Sequence, residues 1–219
     1  MSELRQLLRD LEVFAGDLPT FDPAAAPADP AALFTAWLLA AVDAGIPEPH
    51  AMTLATVDED GAPQARVLIL KNLLPATGGW QFAAHLASPK GRQLTAVPRA
   101  ALTFYWQPHA RQVRIAGPVV AETPERSAAD FLARGRTARA EALLGRQSGP
   151  LTDPAERAAA LAASRDRLAR EPDAVPPEWT LYTLLADRVE FWQGDRDRRH
   201  TRLDYRRTDG RWTSQLLWP

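Results

Sequence analysis

The sequence predicts a mainly β fold of the α+β class, in which antiparallel strands close into a small barrel and helices sit at its periphery. Three observations predict it. Stretches with two-residue alternation recur from Ala51 to Leu217. Short turn sequences such as Asp58-Glu-Asp-Gly61 and Asp209-Gly210 join them, as antiparallel hairpins require. The helical stretches cluster and do not alternate with the strands, which argues against a doubly wound parallel sheet.

The elements follow in order. Met1 to Arg9 reads as a short amphipathic helix with Leu4, Leu7, Leu8 and Leu11 on one stripe. Leu18 to Pro30 is a Pro/Ala-rich linker. Asp29-Pro30 supplies an N-cap and a proline at the first helical position. The helix it opens carries Leu33, Phe34, Trp37, Leu38 and Ala41 at core spacing and closes at Gly45. Strands are expected at Ala51–Val57, Gln64–Leu70, Trp80–His85, Ala100–Trp106 and Arg111–Ala121, with a bend at Gly117-Pro118. Ser88-Pro89 opens a short helix between the third and fourth. A helical insert at about 123–175 follows, with start signals at Thr123-Pro124 and Asp153-Pro154 and a short helix at Glu141. Trp179–Phe191, Arg199–Arg206 and Trp212–Leu217 complete about six or seven strands. The expected organisation is an N-terminal helix and flexible linker over 1–28 and one domain over 29–219.

Composition narrows the function. With 219 residues and 46% hydrophobic content the chain can bury a sizeable core. A net charge of -1 provides no global field for nucleic acid or an anionic membrane, so any anion site is local. Zero cysteines exclude disulfides, thiolate metal sites and a cysteine nucleophile. No apolar run approaches the roughly 20 residues of a membrane span, and the first residues lack the apolar core of a signal peptide. The expectation is a soluble, cytoplasmic protein. His50, His85, His109 and His200 show no paired ligand spacing, so no metal is expected. Nucleophile-elbow, P-loop and dinucleotide-binding patterns are missing from the sequence.

Two sets of residues carry candidate chemistry. The first can bind anions. Arg66 and Lys71 flank an apolar strand, Ser88-Pro89-Lys90 starts a helix, Gln112 follows Arg111, and Gln147-Ser148 ends a helix. Arg66 and Lys71 point to opposite faces of a regular strand and share a ligand only if the strand bends between them. Near the C-terminus, Arg198, His200 and Arg202 line one face of an extended chain. Such a row is either a solvated charged hairpin or a site for an anion such as phosphate, whose oxygens match guanidinium forks. The second set is aromatic: Tyr105, Trp106 and Trp192 lie near strand ends, where they pack a core or a flat ligand.

These residues together resemble the pyridoxamine 5′-phosphate oxidase family. The resemblance runs from about Asp29 to Pro219. Its segments are Asp29-Pro30 with the following Leu-Phe-x-x-Trp37, then Ala55-x-x-Asp-x-x-Gly-x-Pro-x-x-Arg-x-x-x-Leu-Lys71, Ser88-x-Lys90, Arg111-Gln112, Arg146-Gln-Ser148, Glu190-Phe-Trp-Gln-Gly194 and Arg198-x-His200-x-Arg202. It implies a split β-barrel working as a homodimer, with FMN at the subunit interface. It also implies oxidation of pyridoxamine or pyridoxine 5′-phosphate to pyridoxal 5′-phosphate with O2. Arg66, Lys71, Ser88, Lys90, Gln112, Trp192 and Arg202 are then flavin contacts, with Gln147 and Ser148 reaching in from the partner. Lys71 and Arg134 are substrate-phosphate ligands, and Arg198 and His200 form the catalytic pair that holds the substrate.

The chain departs from the family pattern in places. Ala83-Ala84 stands where the family has a Tyr/Phe-Thr pair, and Pro89 stands where it has an arginine. Asp130 replaces a phosphate-binding tyrosine and Ala138 a serine, with Thr137 adjacent. Asp130 and Arg134 also have the i, i+4 spacing of a helical ion pair. Two alternatives stay open: a related FMN-dependent oxidase of another ring substrate, phenazine-type, and a split-barrel protein that holds flavin without turnover.

Overall fold

The computed structural model describes residues 3–219. Its helices are α1 (Glu3–Asp10), α2 (Pro30–Asp43), α3 (Pro89–Ala96), α4 (Pro124–Leu132), α5 (Arg136–Ala142) and α6 (Pro154–Arg170). Its strands are β1 (Ala51–Val57), β2 (Pro63–Ile69), β3 (Asn72–Leu74), β4 (Gly79–His85), β5 (Arg99–Trp106), β6 (Arg111–Ala121), β7 (Trp179–Leu185), β8 (Arg188–Gln193), β9 (Thr201–Thr208) and β10 (Arg211–Leu217). The mainly β, α+β class read from the sequence is the class observed. The residues form two compact units. One comprises Met1–Thr53, Leu102–Ala116 and Ala186–Pro219; the other comprises Leu54–Ala101 and Gly117–Leu185.

In the first unit, Arg111–Ala116 of β6 pair antiparallel with β8, β8 with β9, and β9 with β10. α2 begins where Asp29 accepts the Ala31 N–H at 2.9 Å. It ends where Gly45, at φ +66°, lets Gly45 N–H reach Val42 O and Ile46 N–H reach Ala41 O. The helix buries Leu33, Phe34, Trp37 and Ala41, while Leu38 is half-buried. Edge-on rings lock it in place: Phe34 on Phe104 at 4.9 Å and Trp37 on Phe191 at 5.2 Å. Each such side chain contributes about 1.5–3 kcal/mol by leaving water. The linker is tied at two points, Thr20 O accepting from Arg111 and Pro27 O from the Tyr205 hydroxyl at 2.7 Å. α1 spans most of the expected first helix, and Met1 and Ser2 lie outside the described residues. Its leucine stripe faces solvent in this chain.

In the second unit, β4 pairs with β7 along its whole length, from Gly79↔Leu185 to His85↔Trp179. β3 extends β4 on one side, and Val119–Ala121 of β6 pair with β7. Trp80, Phe82 and Leu184 are buried there. α4 is capped by the Thr123 hydroxyl, and its Ser127 hydroxyl accepts the Leu181 N–H at 3.1 Å. The long α6 starts at Asp153 as expected, and its Ser164 donates to Ala140 O at 2.7 Å.

The described residues form ten strands where about six or seven were expected, the unforeseen β3 among them, and three further elements differ from the sequence reading. The expected strand Trp179–Phe191 divides into β7 and β8: both pair with β6, but the neighbour on the other side changes from β4 to β9. Gly117-Pro118 marks the matching change on β6, since proline has no N–H for a ladder. The short helix expected at Glu141 starts earlier, at Arg136. The C-terminal strand begins at Thr201 and not at Arg199, so Arg198 and His200 are not in a strand row with Arg202. The cause is Asp195, whose carboxylate accepts the N–H groups of Asp197 and Arg199 and curls the chain into a turn.

Two carboxylates lie side by side inside the first unit. Glu190 and Asp204 are register partners on β8 and β9, and both are buried. Arg202 and Arg188 reach Glu190; Arg188 and Arg206 reach Asp204 at 2.6 and 2.9 Å. Burial pushes the Asp204 carboxyl up, but the hydrogen bonds from Arg188 and Arg206 outweigh it and hold it below the usual carboxylate range. A depressed carboxylate stabilises the fold above its unfolded pKa, about 3.9, and this contribution is lost as pH falls through the folded value. Asp204→Asn should therefore lower stability at pH 7 by about 2 kcal/mol and flatten its fall below about pH 4. Urea unfolding at several pH values checks this, and an unchanged acid limb would remove Asp204 from the account.

Candidate active site

A cavity of about 860 Å³ opens in the second unit. That volume suits a cofactor-sized ligand. Of the residues expected from the sequence, Lys71, Lys90, Arg134 and Gln147 line it, together with Ala83, Ala84 and Ala138. Arg66, Ser88 and Ser148 belong to the same unit.

One end is organised by α3. Ser88 is its N-cap: the hydroxyl donates to His85 O at 2.6 Å and accepts from Gly91 N–H, so it is already engaged. Pro89 occupies the first turn, where its lack of an N–H costs nothing. This corner aims Lys90 inward. Lys90 is only 7% exposed, and its Nζ donates to Gln147 Oε1 at 3.1 Å within the same chain. Burial, and then the charge of Arg66, hold the Lys90 amine below the usual lysine range. Arg66 on β2 donates to Thr56 Oγ1 at 2.5 Å, Gln93 Oε1 at 3.1 Å and Leu54 O at 3.4 Å, and burial lowers its pKa as well. All these acceptors are neutral. Among the described residues no carboxylate pairs with Lys90 or Arg66.

The other group centres on Trp179. Lys71 follows the end of β2 at Ile69, so the opposite-face rule for Arg66 and Lys71 does not carry through to it. Its N–H is fixed on Gln81 O at 2.8 Å and its Nζ stands 3.6 Å from the Asp130 carboxylate. Asp130 also accepts the Trp179 Nε1–H at 2.9 Å. Arg134 lies 4.4 Å over the Trp179 ring. The helical spacing predicts that Asp130 occupies Arg134 as an ion pair; the structure instead joins both to Trp179 and gives the carboxylate to Lys71. Burial lowers the Arg134 pKa, and the Asp130 charge partly restores it. Arg134 Nε is buried without a partner.

The remaining expected residues belong to the first unit. Gln112 on β6 sits opposite Trp192 on β8. The Trp192 ring is 5.0 Å from the His200 ring. His200 Nδ1 accepts the Asp195 N–H at 3.0 Å, so its proton sits on Nε2. Arg198 is exposed at φ +65°, a strained conformation for a side-chain-bearing residue that the Asp195 turn imposes. Arg202 is engaged: it grips Glu190 with two bonds of 2.8 Å and donates to Trp218 O.

Sequence reasoning missed several participants. Trp179 looked like an ordinary strand residue, and nothing local marks it as the platform for Arg134. Thr56 and Gln93, which hold Arg66, are distant in sequence. Phe14 lies outside every motif, yet its ring packs 5.9 Å from Trp192 and 5.7 Å from His200. Arg196 fixes that segment through Phe14 O and Gly16 O.

Comparison with known proteins places the chain in a family. A family model described as Pyridoxamine 5′-phosphate oxidase matches residues 38–175, and one described as Pyridoxine 5′-phosphate oxidase C-terminal dimerisation region matches residues 179–219. A pyridoxine/pyridoxamine 5′-phosphate oxidase of Pseudomonas paraeruginosa is 45% identical over 196 residues, 89% of this chain and 90% of that protein. One from Deinococcus deserti is 40% identical over 194 residues, 88% and 90% of the two chains. Among solved structures, PhzG from Burkholderia lata in complex with tetrahydrophenazine-1-carboxylic acid superposes with a TM-score of 0.83 at 30% identity, covering 93% of this chain and all 100% of that one. A pyridoxamine 5′-phosphate oxidase-related, FMN-binding protein from Nostoc punctiforme shares the fold, with a TM-score of 0.70 at 21% identity over 87% of this chain and 98% of its own. The fold they share is the split barrel expected from the sequence.

The α3 corner that holds Lys90 depends on Gly91. A Cβ there would overlap the carbonyl oxygens of Leu86 and His85, both main-chain atoms. Gly91→Ala should cost about 2 kcal/mol or more in chemical unfolding, and an unchanged midpoint would show that the corner has room to spare.

Proposed function

Since the chain belongs to the pyridoxamine 5′-phosphate oxidase family of FMN-dependent oxidoreductases, we propose that it oxidises pyridoxamine or pyridoxine 5′-phosphate to pyridoxal 5′-phosphate, with O2 as electron acceptor and hydrogen peroxide as co-product. The observation that carries this reading is the cavity that gathers Lys71, Lys90 and Arg134, on a wall whose other arginines, Arg146 and Arg157, are already paired with Glu156 and Glu141. The residues fit a phosphorylated flavin. Lys90 is a buried cation repelled by Arg66 and bonded only to a neutral amide, which is the environment a phosphate would relieve. Arg66, Lys71, Ser88, Lys90, Gln112, Gln147, Ser148, Trp192 and Arg202 are the proposed FMN contacts. When bound, FMN supplies the two-electron acceptor that side chains lack. The chain also carries the family's dimerisation region, and a homodimer with FMN at the interface, in the cytoplasm and serving vitamin B6 synthesis, completes the proposal.

The protein's own part is positioning. Lys71 and Arg134 hold the substrate's anionic end. Arg198 steadies charge at the reacting carbon, and its strained turn projects it into solvent. His200 acts as a donor through Nε2–H, because the Asp195 N–H already occupies Nδ1. It therefore orients the substrate more readily than it takes up the proton released on oxidation.

A second reading has a specific observation behind it. The solved relative at 30% identity binds a ring carboxylate, and Asp130 sits beside Lys71 in this chain. A related FMN-dependent oxidase of another ring substrate, phenazine-type, fits both facts. A flavin binder without turnover is the least favoured, since it has no use for Arg198 and His200.

Anaerobic addition of pyridoxamine or pyridoxine 5′-phosphate to the flavin-loaded protein should bleach the flavin absorbance. No bleaching at millimolar substrate would sink the substrate assignment. Arg198→Ala should slow that reduction about 100-fold or more with FMN retained, whereas Lys90→Ala should raise the FMN dissociation constant at least about tenfold. Loss of flavin alone from both variants would show that the roles are wrongly divided.

A further inference from the structure

The stretch from Gly194 to His200 carries Arg196, Arg198 and Arg199, and the fold disposes of two of these cations. Arg196 donates to Phe14 O and Gly16 O. Arg199 is taken by the Asp197 carboxylate at 2.6 Å and stands 3.7 Å from that of Asp195. The Arg198 side chain is exposed and, among the described residues, has no hydrogen-bond or ion-pair partner. One residue organises this outcome. Asp195 Oδ1 accepts the N–H of Asp197 at 2.8 Å and of Arg199 at 3.2 Å, and Asp195 O accepts the Arg198 N–H at 3.1 Å. The Asp195 N–H donates to His200 Nδ1 at 3.0 Å. The entry to the turn is fixed from the other side. Gly194 N–H donates to Ala110 O at 2.7 Å, and a Cβ on Gly194 would stand only 2.8 Å from the Ala110 Cβ. The Arg199 N–H, above all, holds the Asp195 carboxyl below the usual carboxylate range, which keeps this acceptor ionised at neutral pH.

We propose that Asp195 is a positioning residue for the oxidation: its carboxylate folds the turn that leaves Arg198 as the unspent cation, and its main-chain N–H selects the tautomer in which His200 presents Nε2–H to the substrate. The inference rests on the oxidase reading, in which Arg198 and His200 hold the substrate, and names the one residue that places both. A neutral imidazole carries its proton on either nitrogen, and an N–H aimed at one nitrogen selects the tautomer with the proton on the other. A side-chain-bearing residue stays at φ +65° only where the bonds around it over-determine it. Both N–H groups that Asp195 Oδ1 accepts belong to the immediate neighbours of Arg198. Without that acceptor Arg198 relaxes to negative φ, its side chain leaves its present line, and His200 loses its fixed donor. A residue that only stabilised the hairpin would change unfolding and flavin binding but select no tautomer.

The test uses the FMN-loaded protein and two variants: Asp195→Asn, which keeps an oxygen acceptor at the same place, and Asp195→Ala, which does not. The readouts are the ring-nitrogen NMR shifts of His200, assigned by their loss in His200→Gln, the rate of anaerobic flavin reduction by pyridoxamine 5′-phosphate, and the FMN dissociation constant. The wild type should show the Nε2–H tautomer alone. Asp195→Ala should show both tautomers and reduce its flavin about tenfold more slowly, with the FMN dissociation constant within about twofold of wild type. Asp195→Asn should restore the single tautomer, and the rate to within about threefold, since an amide oxygen closes the same turn. An unchanged tautomer or an unchanged rate in Asp195→Ala, equal slowing in both variants, or slowing matched by loss of FMN would overturn the inference while leaving the oxidase reading in place. A wild type whose flavin is not reduced by the substrate would instead overturn the oxidase reading, and the positioning role with it.

Discussion

A buried lysine whose neighbours cannot neutralise it is the constraint on which the cavity depends. Lys90 is held inside by the α3 corner, repelled by Arg66, and answered only by the amide of Gln147. Desolvating a cation without a counter-ion costs stability. The fold accepts the cost because the corner is rigid: Ser88 caps α3 on the His85 carbonyl, and Gly91 lets the helix approach the β4 end closely. An anion at that point turns the cost into binding energy. The phosphate of FMN, the family's cofactor, is such an anion.

The contrast with the Trp179 group gives the cavity a direction. There a carboxylate is built in, and the cations around it are partly satisfied before any ligand arrives. In the first unit the polar residues are satisfied in another way. Glu190 and Asp204 bind four arginines, Arg114, Arg188, Arg202 and Arg206, from three strands, which makes Arg202, the register partner of Trp192, part of that framework.

Much of this was legible in the sequence, for identifiable reasons. Period-two alternation and capping pairs such as Asp29-Pro30 and Asp153-Pro154 are local, and the structure reproduces them within a few residues. Lys71, Lys90 and Gln147 were found through spaced motifs and Arg134 through the family resemblance alone, and all four line one cavity. The failures came where non-local or turn geometry decides. Arg198 and His200 were read as a strand face, but Asp195 captures two main-chain N–H groups and curls the chain first. Asp130 was matched to Arg134 by helical spacing, but an indole 49 residues away in β7 competes for the carboxylate and offers its ring to the arginine. Phe14 carries no motif, and only the folded first unit brings it to Trp192.

The central claim is that the Lys90 end is a phosphate site and that flavin enters the cavity through it. Titrating the flavin-free protein with FMN and with riboflavin, and following the quenching of flavin fluorescence, tests this most directly. The account predicts that FMN binds at least about 100-fold more tightly than riboflavin, as charge-assisted bonds to a desolvated phosphate require. Equal affinities would contradict it, since the flavin ring alone would then account for binding and the uncompensated charge of Lys90 and Arg66 would need another explanation.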